Sequence, residues 1–422
     1  MDFEAWEFGL RRVVLAGGAR LLEELVKGVG CGRRQKVICS CGARMRSVGQ
    51  RAKTLQTALG PIAWRRSLFA CPACGASQFP GDAILKVTDQ SVSPGLRRLM
   101  ARAGSQTPFA LAADNLAVYA ELHVDAKQIE RTAEQVGRQI EGWMQSQDNR
   151  AVARAKRPDA EATRRDLPIL YISFDGTGVP MRRSELTARK GKGPDGEART
   201  REVKLGCVFT QTACNDDGEP VRDPASTTYV GAIEGSEAFG WRIYAEALRR
   251  GLDRARCVAV LTDGARYNKT IAQLHFPQAI HIIDLRHAEE HLSALGERLL
   301  RDPARDKKTA RWRALLEEGR IEELVRQARR ALPARGPRRK AALGEIAYFI
   351  ENAPHMRYAD FRRQGLFIGS GVVEAGCRTV IGQRLKQSGM FWSVAGANAI
   401  IASRCCLLSG RFEQFWEDLA AA

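Results

Sequence analysis

The sequence predicts an α/β protein that carries smaller modules ahead of its main domain. Between residues 168 and 285, short apolar strands alternate with one clear helical stretch at 234–251, which is typical of a sheet flanked by helices. Residues 31–80 are strand-like and contain paired cysteines, and residues 95–145 have helical patterning. Residues 287–350 are helix-rich and basic. At roughly 100–200 residues per domain, a chain of 422 residues should form two to four domains.

The charge balance indicates an acidic partner. The chain has 66 Lys and Arg against 48 Asp and Glu, a net charge of +18, and nucleic acid is the usual partner of such a surplus. An ordinary basic protein is the alternative. Acidic residues near the N-terminus (Asp2, Glu4, Glu7) do not fit a secretory signal, and no segment reaches the ~18 apolar residues of a membrane span. We therefore expect a cytoplasmic protein without membrane contact, whose cysteines are reduced thiols or metal ligands.

The chain is predicted to contain five segments with distinct patterning. The first is an apolar helix that serves packing or oligomerisation, and the fourth is a polar, charged linker. In chain order, the segments are an N-terminal helix at 1–30, a zinc-ribbon-like module at 31–93, a helical, helix-turn-helix-like module at 94–145, the linker at 146–166 and the main domain at 167–422.

Two cysteine pairs predict a structural zinc site. Cys39 and Cys41 form the first pair, Cys71 and Cys74 the second, and a glycine follows each pair. Four thiolates on two tight turns can surround Zn²⁺ tetrahedrally, and a hairpin with its turn at Gly60-Pro61 would bring the turns together. The first pair is C-x-C rather than C-x-x-C, so four unligated thiols in a small β module are the alternative.

The helical module resembles a helix-turn-helix. One helix is predicted at 113–122 and a second at 126–143, joined by a turn at 123–125, and the second helix carries Lys127, Arg131 and other cations. A plain helical hairpin fits the same pattern. The basic stretch between Arg301 and Lys340 contains 14 Lys and Arg against 6 Asp and Glu, and is either a solvated face or a surface that contacts DNA phosphates.

Three acids stand where metal-dependent phosphoryl transfer needs ligands. Asp175 and Asp263 each end an apolar strand, and Glu374 begins a predicted helix after Gly369-Ser370-Gly371. Two divalent ions about 3.5–4 Å apart need hard oxygen ligands on rigid elements, and strand ends supply them. Each acid alone could equally be a helix cap or a turn residue. Asp284, which also ends an apolar strand, rivals Asp263 as the second acid, and His287 lies three residues beyond it.

Longer motifs around these acids resemble a known family. They are the segments Phe174–Pro180, Lys190–Gly196, Thr200–Cys207, Thr262–Ala265, Ile283–His291, Gly369–Glu374 and Gln383–Met390. Together they resemble the DDE transposases of bacterial insertion sequences, in particular the ISKra group. The likeness extends over about residues 35–415. Arg286 and the pair Arg266-Tyr267 depart from the family pattern, but none of them replaces a carboxylate.

The resemblance implies a fold, a reaction and a catalytic set. The fold is an RNase H-like core with a helical insertion at about 292–365. The reaction is DNA transposition, in which transposon ends are cleaved and then joined to target DNA. The catalytic residues are Asp175, Asp263 and Glu374, which hold two Mg²⁺ ions, or Mn²⁺, while Asp284 and His287 are possible accessory residues.

The expected partners are the inverted-repeat ends of a transposon, target DNA and further copies of the chain. Basic residues near the acids are predicted to contact DNA phosphates: Lys190, Lys192, Arg199, Arg201, Lys204, Arg384 and Lys386. Two alternatives remain open at this stage. One is a non-catalytic DNA-binding regulator, and the other is a structure-specific DNA nuclease that stops after hydrolysis.

Overall fold

The computed structural model describes residues 2–29, 36–156, 166–187, 189–191, 195–300 and 304–421, without the side chains of 304–306. The chain divides into two compact units, Met1–Val136 and Gly137–Ala422, which we call unit 1 and unit 2. Each unit is considered by itself. None of the described helices combines the length and the apolar character needed to cross a membrane.

Unit 1 begins with a helix packed on a small sheet. The helix is α1 (Phe3–Lys27), and Asp2 caps its N-terminus. The sheet contains β1 (Arg46–Thr57), β2 (Gly60–Ala70) and β3 (Ser77–Gln78), and the short helix α2 (Pro80–Ile84) follows it. Strands β1 and β2 form an antiparallel hairpin, and β3 adds to the free edge of β2. The apolar side chains Leu55, Ile62 and Trp64 are buried between hairpin and helix.

The hairpin turn lies two residues earlier than the sequence predicts. Thr57 pairs with Gly60, so Ala58 and Leu59 form the turn and Pro61 already belongs to β2. Gly60 has a φ of +116°, a conformation that glycine adopts without steric cost. Proline at the start of a strand is tolerated because few ladder bonds need its missing N–H.

Three helices complete the N-terminal part of the chain. They are α3 (Pro94–Gln106), α4 (Phe109–Ala120) and α5 (Ala126–Ala155). The predicted start of the second helix at Ala126 is confirmed, and Asp125 caps it by accepting a hydrogen bond from the Gln128 N–H (2.8 Å). Helix α4 starts four residues earlier than predicted, directly after Pro108.

Helix α5 continues well beyond the predicted end at residue 143. Residues 146–155, predicted as linker, are its last turns, while residues 157–165 lie outside the described part of the chain. The continuation has a physical reason, because Ile140, Met144 and Asp148 extend one buried face at a spacing of four residues. Gly137 permits a close approach of α5 to α15, since a Cβ there would lie 2.1 Å from the carbonyl oxygen of Ala399.

Unit 2 is built on a mixed five-stranded sheet. Its strands are β4 (Leu167–Pro180), β5 (Thr200–Gln211), β8 (Thr228–Ala232), β9 (Ala255–Thr262) and β10 (Ile280–Ile283), and β6 (Ala213–Cys214) with β7 (Pro220–Val221) forms a small separate hairpin. The order is β10-β9-β4-β5-β8. Strand β5 runs antiparallel to both neighbours, whereas β9 and β10 run parallel to β4. The α/β class predicted for this region is confirmed.

Helices surround the sheet. After β8 comes α6 (Ser236–Arg249), the helix predicted at 234–251, and α7 (Arg266–His275) follows β9. The basic region after β10 is helical as predicted and contains α8 (Leu285–Leu299), α9 (Ala304–Glu317), α10 (Ile321–Arg330), α11 (Pro337–Asn352) and α12 (Tyr358–Arg363). Helices α8 to α11 share one apolar core with the sheet, in which Trp312 and Phe349 are buried.

The C-terminal helices begin with the one that carries Glu374. Helix α13 (Gly371–Gly376) runs directly into a π-helical turn, Cys377–Gly382, and then into α14 (Gln383–Leu385), α15 (Val394–Leu408) and α16 (Phe412–Ala421). The Arg404 side chain of α15 supports the π-helical turn by donating to the carbonyl oxygen of Val380 (2.6 Å) and to that of Thr379. π-helical turns occur often next to functional residues.

Candidate functional site

The four predicted cysteines come together in unit 1. The ligand atoms of Cys39, Cys41, Cys71 and Cys74 all lie within 4.8 Å of one another. The Sγ atoms of Cys39 and Cys74 are 3.5 Å apart, as are those of Cys41 and Cys71. A compact group of four thiols is the ligand set of a structural zinc site. Cys31, a conceivable spare ligand, lies outside the described residues.

Two tight turns shape this cysteine group. The Cys39 N–H donates to the Ala43 carbonyl oxygen (2.9 Å) and the Cys71 N–H to that of Ala76 (2.7 Å), and the glycine of each turn has a positive φ. The backbone N–H of Cys41 and hydrogen bonds from the neighbouring thiols lower the pKa of the Cys39 thiol to about 6, while hydrogen bonding within the same group raises the pKa of Cys74. Stabilised thiolates favour metal binding, because the thiolate is the form that ligates. The group can therefore hold a zinc ion.

The predicted acids come together in unit 2. Asp175, Asp263, Asp284 and Glu374 line one polar cavity of about 340 Å³, the acid cavity, with His287 beside them. Strands β4 and β9 pair in register up to Ser173 and Leu261, so the two aspartates, each two residues further on, lie at the same level of neighbouring parallel strands. Glu374 reaches the cavity from the first turn of α13.

The environment of Asp175 disfavours a bare negative charge. Burial raises the pKa of its carboxyl, and repulsion from Asp263 and Glu374 adds to the effect. The Gly176 N–H, which donates to Oδ1 over 2.6 Å, acts in the opposite direction without reversing it. A cation bound among these acids would relieve both the burial penalty and the mutual repulsion.

Each of the three predicted catalytic acids has one oxygen held by the protein. Asp263 Oδ1 accepts from the Ala265 N–H (2.8 Å) and from the Asn268 side-chain amide (2.7 Å), and Glu374 Oε1 accepts from the Ser370 hydroxyl (3.0 Å). Asp175 uses Oδ1 in the same way. The second oxygen of each has no protein donor among the residues that the structure describes, which leaves it open to a metal ion.

The acids share a cavity without forming a closed ligand shell. Within the described residues, only the cysteine group has all its ligand atoms inside 4.8 Å. The carboxylates are therefore more widely spaced than ligands that converge on one ion. Two ions about 3.5–4 Å apart accept such a spread.

Asp284 differs from the other three acids. It is only 2% exposed, and both of its oxygens accept backbone hydrogen bonds, Oδ1 from His287 (2.7 Å) and Oδ2 from Ser370. It caps α8 and holds the segment that leads into α13. The contacts of Asp284 are those of a residue that positions its neighbours.

A second layer of side chains supports the cavity. The His291 ring stacks on Tyr348 with centroids 3.7 Å apart, and His291 Nδ1 lies 2.6 Å from a Glu345 oxygen. The Tyr348 hydroxyl donates to the Asp263 carbonyl oxygen (3.4 Å). Asn268 could have been found from its place one turn after a strand-end acid, whereas Tyr348 and Glu345 carry no local signal.

The predicted DNA-contact residues have different environments. Lys190, Arg199 and Lys386 are exposed, Arg201 is half-buried, and Lys192 lies outside the described residues. The Lys386 ammonium donates to the Thr177 hydroxyl, two residues from Asp175. The exposed Lys386 side chain near Asp175 is therefore accessible to the phosphates of a DNA backbone.

Two of these predictions need correction. The sequence predicts that Lys204 and Arg384 contact DNA, but Lys204 is 8% exposed and Arg384 is fully buried. The Lys204 ammonium lies 2.6 Å from a Glu202 oxygen and 5.1 Å from the Tyr267 ring centre, and the Arg384 guanidinium lies 5.1 Å from the Trp392 ring centre. Lys204 lies on a buried face of β5 and Arg384 on a buried face of α14, so both side chains pack inside the protein.

Comparisons with known proteins add little. No family model matches the chain, and no curated protein matches it. One solved structure, the Drosophila P element transposase strand transfer complex, aligns over 76% of this chain and 80% of that chain, at 10% sequence identity and a TM-score of 0.24. A TM-score this low does not establish a shared fold.

Proposed function

We propose that this chain is a metal-dependent DNA transposase that cleaves DNA at transposon ends and transfers the freed strand into target DNA. One observation carries the proposal: Asp175, Asp263 and Glu374, which stand far apart in the sequence, line a single polar cavity beside two adjacent parallel strands. The net charge of +18 fits a nucleic-acid substrate.

The proposed fold of unit 2 is an RNase H-like core with a helical insertion. Its support is the position of the acids on the mixed sheet: Asp175 is on the middle strand, Asp263 follows the neighbouring parallel strand, and Glu374 is on a helix that comes after the helices of the basic region. Asp175 does not end its strand as the sequence predicts, because β4 continues to Pro180 against β5. Asp263 does follow the carboxyl end of β9, which is where α/β sheets bind ligands.

The acid cavity suits Mg²⁺, or Mn²⁺, as a pair of ions. The donors are carboxylate oxygens, the hard ligands that Mg²⁺ prefers, and each of Asp175, Asp263 and Glu374 keeps one oxygen free of protein donors among the described residues. When bound, such ions activate a water or a 3′-hydroxyl and stabilise the leaving oxygen.

The surrounding residues set the geometry of the acids. Asn268 and the Ala265 N–H fix the Asp263 carboxylate, and Ser370 fixes that of Glu374. Asp284 joins the start of α8 to the segment before Glu374, and His287 lies in the cavity. We assign catalysis to the three open carboxylates and an accessory role to Asp284 and His287.

The other modules are proposed to bind DNA. The zinc-ribbon-like module and the helix-turn-helix-like pair α4 and α5 would recognise terminal inverted repeats. The exposed cations Lys307, Lys308 and Arg311 of α9 would contact the phosphate backbone, since phosphate contacts need clustered cations. Holding two transposon ends together requires an oligomer, so we expect homo-oligomers on DNA.

The test uses DNA from either side of the gene. The purified protein is incubated with labelled duplexes from these flanks and a target plasmid, with Mg²⁺ or with EDTA. Metal-dependent nicking at one fixed position, followed by joining to the plasmid, is the expected result. Binding without nicking would identify a DNA-binding regulator, and nicking without joining would identify a nuclease.

A further inference from the structure

A second cavity opens beside the acid cavity. It has a volume of about 690 Å³ and shares Asp284, Arg286 and Glu374 with the acid cavity. Leu285, Phe367 and Ile368 form an apolar wall, Arg362 lies on one side, and the tip of the β6–β7 hairpin, Asp217–Pro220, lies on another. A pair of metal ions needs no such space, so the proposed chemistry leaves this cavity unexplained.

The sheet holds the backbone of the apolar wall in place. The Gln211 side-chain amide donates to the Gly365 carbonyl oxygen (2.9 Å), the Phe367 N–H donates to the Tyr171 hydroxyl (3.2 Å), and the Leu285 N–H donates to the Ile368 carbonyl oxygen (3.0 Å). These bonds tie residues 365–368 to β4, β5 and α8. The wall is therefore preformed, and its shape does not depend on a ligand.

The Phe367 ring is fixed as well. It makes edge contacts with Tyr171 and Phe209, at centroid distances of 5.2 and 5.8 Å. The residue remains half-buried and lines the cavity. An anchored aromatic ring beside a polar site is a surface on which a flat apolar group can rest without a loss of side-chain freedom.

The lining matches the parts of one nucleotide. Arg286 and Arg362 are exposed and can bind phosphate oxygens, the apolar wall fits the face of a base, and the carboxylates of Asp217 and Glu219 can accept from exocyclic amino groups. The volume lies within the range of small-molecule sites, roughly 300–1,000 Å³. A base that is stacked in a duplex cannot reach this wall, so the nucleotide must be unstacked.

We propose that this cavity, the nucleotide cavity, binds one unstacked nucleotide next to the scissile phosphate. The assignment of its occupant as substrate DNA rests on the proposed function. Phe367 supports the base and Arg362 holds its phosphate, while Glu374 and Asp284 connect the nucleotide cavity to the acid cavity. The protein thereby selects DNA that is distorted, or easily distorted, at the cleavage position.

The test compares two DNA probes that differ by one nucleotide. One is a 20-bp duplex from the gene flank, and the other is the same duplex with a single extrahelical adenosine at its centre. Binding of the full-length protein is measured by fluorescence anisotropy with Ca²⁺ in place of Mg²⁺. The wild-type protein should bind the extrahelical probe about fivefold or more tightly.

Matched variants assign the preference to the cavity. Phe367→Ala and Arg362→Ala should abolish it, whereas Phe391→Ala and Arg363→Ala should retain it, because these two exposed residues do not line the cavity. Arg362→Ala removes an exposed side chain, so it remains informative if Phe367→Ala fails to fold. Absence of a preference in the wild type, its retention in Arg362→Ala, or its equal loss in Arg363→Ala would overturn the proposal.

Cleavage of the same probes with Mg²⁺ separates this inference from the proposed function. Cleavage without a preference for the extrahelical adenosine would overturn the nucleotide cavity alone. A Phe367- and Arg362-dependent preference without any cleavage would support nucleotide binding but overturn the proposed chemistry.

Discussion

The cysteine group and the acid cavity are two kinds of site made by one chain. The four thiols lie within 4.8 Å of one another on two tight turns, and they form a closed ligand set. The four acids come from four separate segments, share a cavity of about 340 Å³ and do not converge in this way. Closed, fully ligated sites are structural, while catalytic sites keep positions open for water and substrate. The difference is the one expected if the cysteine group stabilises the fold and the acid cavity performs the proposed chemistry.

The largest expected effect comes from a substitution in the acid cavity. Asp175→Asn removes a carboxylate from the acid cavity while keeping its shape, so cleavage of end DNA should fall about a thousandfold or more, which corresponds to roughly 4 kcal/mol of barrier. Single-turnover cleavage assays measure the rate. DNA binding should be unchanged, because no positive charge is lost.

Asp360→Asn is the matched control, since Asp360 is an acid of α12 that does not line the cavity. It should cleave at the wild-type rate. Wild-type cleavage by Asp175→Asn would refute the assignment of the acid cavity as the active site.

The next largest effect comes from a substitution in the cysteine group. Cys71→Ser removes one of four zinc ligands, so the purified protein should lose its zinc and the cysteine turns should lose several kcal/mol of folding free energy. Metal analysis and hydrogen–deuterium exchange of residues 37–76 measure the two outcomes. Cys214→Ser, at an exposed cysteine of unit 2, should change neither. A wild-type protein without zinc would rule out the structural metal.

A smaller effect concerns the residue that positions the open site. Asp284→Ala leaves the His287 and Ser370 N–H groups without their acceptor, at a cost of roughly 1–3 kcal/mol for each buried group. Hydrogen–deuterium exchange at these two amides should accelerate, and cleavage should slow less than in Asp175→Asn. Asp284→Asn keeps one acceptor oxygen, so its amide exchange and cleavage rates should lie between those of the wild type and of Asp284→Ala. A cleavage loss as large as that of Asp175→Asn would instead make Asp284 a catalytic acid.

The smallest effect is a pH dependence of stability in the absence of divalent metal. Burial and repulsion raise the pKa of the Asp175 carboxyl above its ordinary value of 3.8, so the folded state penalises the charged form. As pH rises through this window, the folded state loses stability relative to the unfolded chain. Asp175→Asn should therefore stabilise unit 2 at neutral pH by about 1 kcal/mol or less, and the gain should vanish below pH 3.8.

Asp223 offers a control of opposite sign. Burial opposes ionisation of its carboxyl, but hydrogen bonds from Thr210 and Thr212 outweigh burial and lower its pKa below 3.8. Asp223→Asn should destabilise unit 2 at neutral pH, and this cost should fade as pH falls below 3.8. Thermal melting in EDTA across this range measures both variants. If both substitutions changed the stability of unit 2 in the same direction at neutral pH, the electrostatic explanation for Asp175 would be contradicted.

Local features were well predicted from the sequence. The spacing of Cys39, Cys41, Cys71 and Cys74 indicated one ligand group, and apolar runs indicated β4 and β9, although β4 continues past Asp175 to Pro180. These predictions depend on residues close in sequence, where turn geometry and side-chain alternation act directly. The end of α5 was mispredicted because polar residues after 143 share a buried face that only packing reveals.

The sequence by itself determined the α/β class, the pairing of the cysteines and the candidate acids, because each follows from local spacing and residue type. Only the tertiary structure decided which cations are buried, as for Lys204 and Arg384, and how Asp284 differs from Asp263. It also placed Glu374 and Phe367 in one cavity with Asp284. The physical reason is that burial and hydrogen-bond partners depend on segments distant in sequence, which meet only when the sheet and its helices pack.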